Sequence, residues 1–248
     1  MPLELIGGLF AERFGGATPV LALHGWGRDR RDWAGVLAAT GGLALDLPGF
    51  GASPPPAQAV GAAGYAVLVE PALEAFGGPV VVVGHSFGGR VAVHLAVRRP
   101  DKVRALVLAG VPLVRLSGAR ARVSPRYRAL RLARRLRLVP ERTLEEARRR
   151  YGSADYRAAS GVMRQVLVRV VGESYEEQLA ALACPVHLVW GEDDRVVPPA
   201  VATRALTLIH AGKLTLLPGV GHDIPAQAPE ALAAAIAACL PPRGEGAA

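Results

Sequence analysis

Three residue types in this 248-residue chain could combine to break an acyl bond: a serine at 86, a histidine at 222 and an aspartate at 194. A serine hydroxyl is a poor nucleophile at neutral pH. Imidazole, titrating near 6.5, can take its proton and return it, and a carboxylate can fix the ring tautomer and stabilise the imidazolium that forms. Ser86 is the centre of Gly84-His85-Ser86-Phe87-Gly88, which follows four consecutive valines, Val80 to Val83. Such a β-branched run suits a strand buried on both faces, and the spacing from Val91 to Val97 suits a helix, so Ser86 is expected at a sharp strand-to-helix turn. A Cβ at Gly84 or Gly88 would collide with the adjoining strand or helix. The helix N-terminus favours negative charge at the same spot.

Other residues compete for these roles or surround them. Asp193 is the rival acid, adjacent to Asp194. His24-Gly25-Trp26-Gly27 follows an apolar run, and its Trp26 amide could join that of Phe87 in holding an oxyanion. His24 and His85 are candidate substrate contacts, although His24 also suits a backbone-bonding role in its turn and His85 the lining of the elbow. His94, His187 and His210 fall in or beside regular elements, where structural roles are expected. Asp46 opens Asp46-Leu47-Pro48-Gly49-Phe50-Gly51-Ala52-Ser53, where it is expected to anchor a loop by hydrogen bonds.

These residues need a scaffold that gathers them. Apolar, β-rich runs recur at Val20–Leu23, Leu43–Leu47, Val80–Val83, Val103–Leu108, Val186–Trp190 and Leu214–Leu217. Helical patterns follow Ser86 and cover Gly61–Phe76, Pro199–Ile209 and Pro229–Leu240. Alternating strands and helices predict an α/β fold, a mostly parallel central sheet with helices on both faces. Leu3–Phe14 is expected to add an edge hairpin turning at Gly7 and Gly8. From about residue 113 to 172 the alternation lapses into helical periodicity, which predicts an inserted helical cap within one domain spanning residues 1–248. Pro125 and Pro140 bracket its first expected helix. In parallel sheets the functional crevice lies beyond the carboxyl ends of the strands, and His24, Ser86, Asp194 and His222 each follow a strand.

With the order Ser86, Asp194, His222 and the elbow around Ser86, the chain resembles the α/β-hydrolase superfamily over most of its length. Gly191, Asp194, Val196, Val197 and Pro198 match that superfamily's acid motif. The resemblance implies a serine hydrolase cleaving a carboxylic ester through an acyl-enzyme, with thioesterases and lactonases as alternatives on the same triad. The turn at His24 to Gly27 and the stretch Asp46 to Gly51 resemble the pimeloyl-acyl-carrier-protein methyl ester esterases of biotin synthesis. Those enzymes carry Trp-Ser-Leu in the elbow, where this chain has His85-Ser86-Phe87.

The net charge of +8 is concentrated. Between Leu113 and Arg164 there are fifteen arginines against four acids, a surplus of eleven, so the rest of the chain is net negative by three. This suits an acidic carrier protein meeting a basic cap, as the resemblance implies, or simply a solvated face. A nucleic-acid or ligand-binding protein could also gather such charge, but the segment offers only Tyr127, Tyr151 and Tyr156 for stacking, so no nucleic acid is expected. No apolar run reaches the roughly 18 residues of a membrane span. The start, Met1 to Glu4, lacks a secretory pattern, and a cytoplasmic location is expected. Cys184 and Cys239 are widely spaced and propose neither metal nor disulfide. No cofactor or metal is expected, and the oligomeric state is expected to be a monomer or small homo-oligomer.

Overall fold

Alternate residues of the central strands enter two separate apolar cores, one on each face of a single sheet. Leu21, Leu23, Val80, Val82, Leu106 and Leu108 belong to one core. Val20, Ala22, Val81, Val83, Ala105 and Val107 belong to the other. This period of two is the consequence of strand geometry when both faces are covered, and it explains why these runs are continuously apolar. The structure is a computed structural model, and it describes residues 3–15, 18–116, 129–130, 132–134, 136, 138–140, 142–143 and 154–241.

Eight strands form the sheet: β1 Leu3–Ile6, β2 Leu9–Phe14, β3 Val20–Leu23, β4 Gly42–Leu45, β5 Val80–His85, β6 Val103–Ala109, β7 Val186–Gly191 and β8 Gly212–Leu217. Their spatial order is β1-β2-β4-β3-β5-β6-β7-β8. β3 to β8 are parallel. The hairpin β1–β2 adds antiparallel pairings at one edge, turning at Gly7 (φ 59°) and Gly8 (φ 83°) as expected for left-handed turn positions. β3 has β4 on one side and β5 on the other, so chain connections diverge around it and open a crevice at the carboxyl ends of β3 and β5.

The helices are α1 Ala34–Thr40, α2 Ala62–Val69, α3 Phe87–Arg98, α4 Ala154–Ala158, α5 Gly161–Val170, α6 Glu176–Ala180, α7 Pro199–Leu206, α8 Ile224–Gln227 and α9 Pro229–Ala237. α2 and α3 supply one core, and α1 and α9 the other. The helix expected over Gly61–Phe76 stops at Val69 and continues as a 3-10 turn, Glu70–Ala75. Pro71 is the physical reason, because a proline there has no N–H for the next α-helical bond.

Between β6 and β7 the described elements are helical, α4, α5 and α6 among them. The Met163 thioether of α5 packs over Gly49, where an added Cβ would lie 2.3 Å from its sulfur. Tyr175, after α5, donates to Glu173 at 2.5 Å, and Glu173 accepts from the Ala62 amide that opens α2. Most of the helix expected between Pro125 and Pro140 lies outside the described residues, as do Tyr127 and Tyr151.

Candidate active site

The turn at Ser86 is the sharpest feature of the backbone. Ser86 has φ 49° and ψ −110°, and among the described residues no other non-glycine has a positive φ. The surroundings enforce it. The Ser86 amide donates to the Ala109 carbonyl at 2.9 Å, tying the turn to β6. A Cβ at Gly84 would lie 2.5 Å from the Gly89 Cα, and one at Gly88 would lie 2.1 Å from the Leu23 carbonyl oxygen. Glycine lets β5, α3 and the end of β3 approach closely enough to thrust the serine side chain outward.

Ser86, His222 and Asp194 form one hydrogen-bonded chain. The loop after β8 brings His222 Nε2 to 3.2 Å from Ser86 Oγ, and the loop after β7 brings Asp194 Oδ2 to 2.7 Å from His222 Nδ1. A carboxylate only accepts, so Nδ1 carries the proton and Nε2 turns its lone pair to the serine hydroxyl. The other oxygen of Asp194 accepts from the Val196 and Val197 amides at 2.8 and 2.7 Å. The Asp194 side chain is fully buried, whereas that of His222 keeps 21% of its surface. Asp193 is exposed and bonds through its amide to the Val220 carbonyl, so its carboxylate is not the one beside the imidazole.

The turn after β3 lies against this chain. A Cβ on Gly25 would sit 3.6 Å from that of Ser86. The Trp26 and Phe87 rings meet edge to face at 5.3 Å, and Phe50 joins Trp26 at 5.0 Å, giving an aromatic wall beside the serine. Phe87 is the first residue of α3, where the helix has no acceptor for its amide.

His24 and His85, read both as candidate substrate contacts and as structural residues of their turns, are buried. His24 is fully buried. It accepts from the Leu47 amide at Nε2 (3.0 Å), which leaves Nδ1–H to donate to the Gly25 carbonyl (2.7 Å). Burial lowers its pKa below 6.5, and the ring is a neutral strut between two loops. His85 is 4% exposed and donates from Nε2 to the His222 carbonyl at 2.9 Å. Burial first, and the nearby His222 second, push its pKa down to about 4. Asp46 is a loop anchor as expected: its carboxylate accepts from the Arg30 amide (2.8 Å) and guanidinium (2.6 Å) and from the Ala52 amide (2.8 Å).

Three supporting residues escape a reading of the sequence. Gly110, at the end of β6 with φ 57°, leaves room for the pair behind it, since a Cβ there would lie 3.1 Å from His222 Nδ1 and 3.5 Å from Asp194 Oδ2. Arg28 reaches Asp223 at 3.1 Å and Asp32 at 2.6 Å, bridging the loops on either side of the serine. Gly110 had a usable signal, a glycine immediately after a strand. Arg28 and Asp223, 195 positions apart, had none. A cleft of about 290 Å³ lined by Arg13, Phe76 and Arg104 opens near the amino ends of the strands, away from this chain of bonds. Among the described residues no group of acidic, histidine or cysteine side chains could hold a metal ion, and no helix is long and apolar enough to cross a membrane.

A strained serine after the fifth strand of such a sheet defines a class of hydrolytic enzymes. A model of the alpha/beta hydrolase family matches residues 20–235, and the chain belongs to that family. Lipase LipV of Mycobacterium tuberculosis is 36% identical over 219 residues, covering 82% of this chain and 78% of that one. A pimeloyl-[acyl-carrier protein] methyl ester esterase of Chromobacterium violaceum is 32% identical over 212 residues, 77% of this chain and 81% of that one. Among solved structures, a serine hydrolase involved in carbazole degradation superposes with a TM-score of 0.73 at 23% identity, covering 96% and 98% of the two chains, which speaks to the fold.

Proposed function

We propose that the protein hydrolyses carboxylic esters through an acyl-serine intermediate. The observation that carries this reading is the continuous chain from Asp194 through His222 to Ser86 at a strained turn. In the first step Ser86 Oγ attacks the ester carbonyl while its proton passes to His222 Nε2. The carbonyl oxygen becomes an oxyanion, and the Trp26 and Phe87 amides are the donors assigned to hold it. Collapse expels the alcohol, which takes the proton from His222, and leaves an ester on Ser86. Water then attacks that ester, giving its proton to His222, and the tetrahedral species releases the acid as Ser86 Oγ takes that proton back from His222. Asp194 keeps the imidazolium favourable in both halves of the cycle. Residues from about 113 to 172 are read as the cap over this site, a reading supported by the contact of Met163 with Gly49.

Replacement Ser86→Ala tests the assignment. Hydrolysis of short-chain p-nitrophenyl esters is expected to fall at least about 10³-fold with an unchanged circular dichroism spectrum. Full turnover by the folded variant would remove the nucleophile.

The methyl ester esterase relative favours a second reading of the substrate, an ester carried on an acidic acyl-carrier protein. The surplus of arginine between Leu113 and Arg164 supports it. Most of these arginines, Arg131 and Arg135 among them, lie outside the described residues, so the case rests on charge along the chain. Here kcat/KM for a carrier-linked methyl ester is expected to exceed that for the free methyl ester and to drop with added salt. Equal values for the two substrates would leave the free ester as the substrate class.

A further inference from the structure

His85 is held between the two loops that the proposed chemistry must keep in register. Its Nε2–H donates to the His222 carbonyl at 2.9 Å, and that oxygen also accepts from the Ile224 amide at 2.9 Å within its own loop. The bond from His85 ties the loop to β5. The opposite edge of the ring faces the turn after β3, where a Cβ on Gly25 would lie 2.9 Å from His85 Nδ1. Among the described residues that buried nitrogen has no hydrogen-bond partner. The ring centroid stands 5.0 Å from that of His222.

We infer that His85 is a positioning residue, a spacer that sets the distance between the oxyanion-binding turn and the imidazole of His222 by bonding the His222 carbonyl while filling the gap against Gly25. The inference rests on the serine hydrolase reading above. A phenyl ring would fill the same space without leaving a nitrogen unpaired, which is costly in a buried site. A histidine at this position makes physical sense only if its donor is needed. Two charged networks face it: His222 and Asp223 from the loop after β8, and Asp32 from the turn before α1, both carboxylates being paired with Arg28. A neutral ring here adds no positive charge beside the imidazolium that forms on His222. The donor works without competing for the reaction's proton.

The test compares His85→Phe, which keeps the ring and removes the donor, with His85→Gln, whose Nε2 can replace it. Active sites are titrated with a fluorophosphonate, so that turnover is expressed per reactive serine and loss of folded protein is removed from the comparison. His85→Phe is expected to lower kcat per titrated site about 10- to 100-fold with KM changed less than about threefold, the consequence of a base displaced by a fraction of an ångström to an ångström. His85→Gln is expected to recover most of that loss, even where its melting temperature is no higher than that of the phenylalanine variant. Wild-type kcat per site in His85→Phe overturns the inference, as does equal damage in both variants. If the parent enzyme itself takes no label at Ser86, the serine hydrolase reading fails instead.

Discussion

At the scale of residues, two neighbouring carboxylates show how burial assigns different roles. Asp194 is enclosed, with one oxygen on His222 and the other on two amides, whereas Asp193 stands in solvent. Asp194→Asn is expected to lower kcat by about 10⁴-fold, because an amide nitrogen facing Nδ1 favours the wrong tautomer. Asp193→Asn is expected to change it less than about threefold, with steady-state turnover of one ester serving for both. A result in the opposite order would reassign the acid. Spacing along the chain left both aspartates open, since either can follow Gly191 into the same loop. The Glu192 amide bonds the Leu217 carbonyl at the end of β8 and the Asp193 amide that of Val220 beyond it, and in the turn so held it is Asp194 that faces inward, onto the Val196 and Val197 amides.

At the scale of elements, the elbow depends on the absence of two methyl groups. The Cβ of Gly88→Ala would meet backbone atoms of Leu23 and His24, at 2.1 to 2.6 Å, and none of them belongs to a flexible side chain. The end of β3 must move, and with it the Trp26 turn. The variant is expected to lose about 1–3 kcal/mol of stability and most of its activity. Gly78→Ala is the control, with no atom within 4 Å of the added carbon and an expected change within about 0.5 kcal/mol. Urea unfolding and ester turnover, measured on both, check the pair. Runs such as Val80–Val83 were legible as strands because a strand buried on both faces leaves no polar interruption. The end of α2 was less so, since the apolar pattern runs on through Leu73 and Phe76 into the 3-10 turn. Of the stretch read as helical between β6 and β7, α4 and α5 are among the described elements, while most of the helix read between Pro125 and Pro140 lies outside them. How its helices meet the crevice depends on contacts such as Met163 with Gly49, between residues 114 positions apart.

At the scale of the whole molecule, burial of imidazoles links stability to pH. Desolvation lowers His24, His94 and His187 below 6.5 and brings His85 to about 4. The unfolded chain binds protons near 6.5 that the native state refuses, so the stabilisation is complete above 6.5 and is lost as pH falls from there toward 4. For His85 the full effect is about 3 kcal/mol at most. Asp29, held at about 2 by Arg31, contributes only to a lower window, below 3.8. The midpoint of urea unfolding is expected to decline between pH 6.5 and 4, and more shallowly in His85→Phe. Parallel slopes in the two proteins would mean that His85 is protonated in the native state. Little of this was legible beforehand: the six histidines are alike as letters, and their burial follows from a sheet whose covering helices come from distant parts of the chain.

Asp194 follows β7 and His222 follows β8, the last strands in chain order, and β8 pairs on one side only. A chain cut after α3 lacks the Ala109 carbonyl that ties the serine turn to β6, and it lacks both Asp194 and His222. On the proposed mechanism, a copy truncated before β8 is expected to leave esters intact.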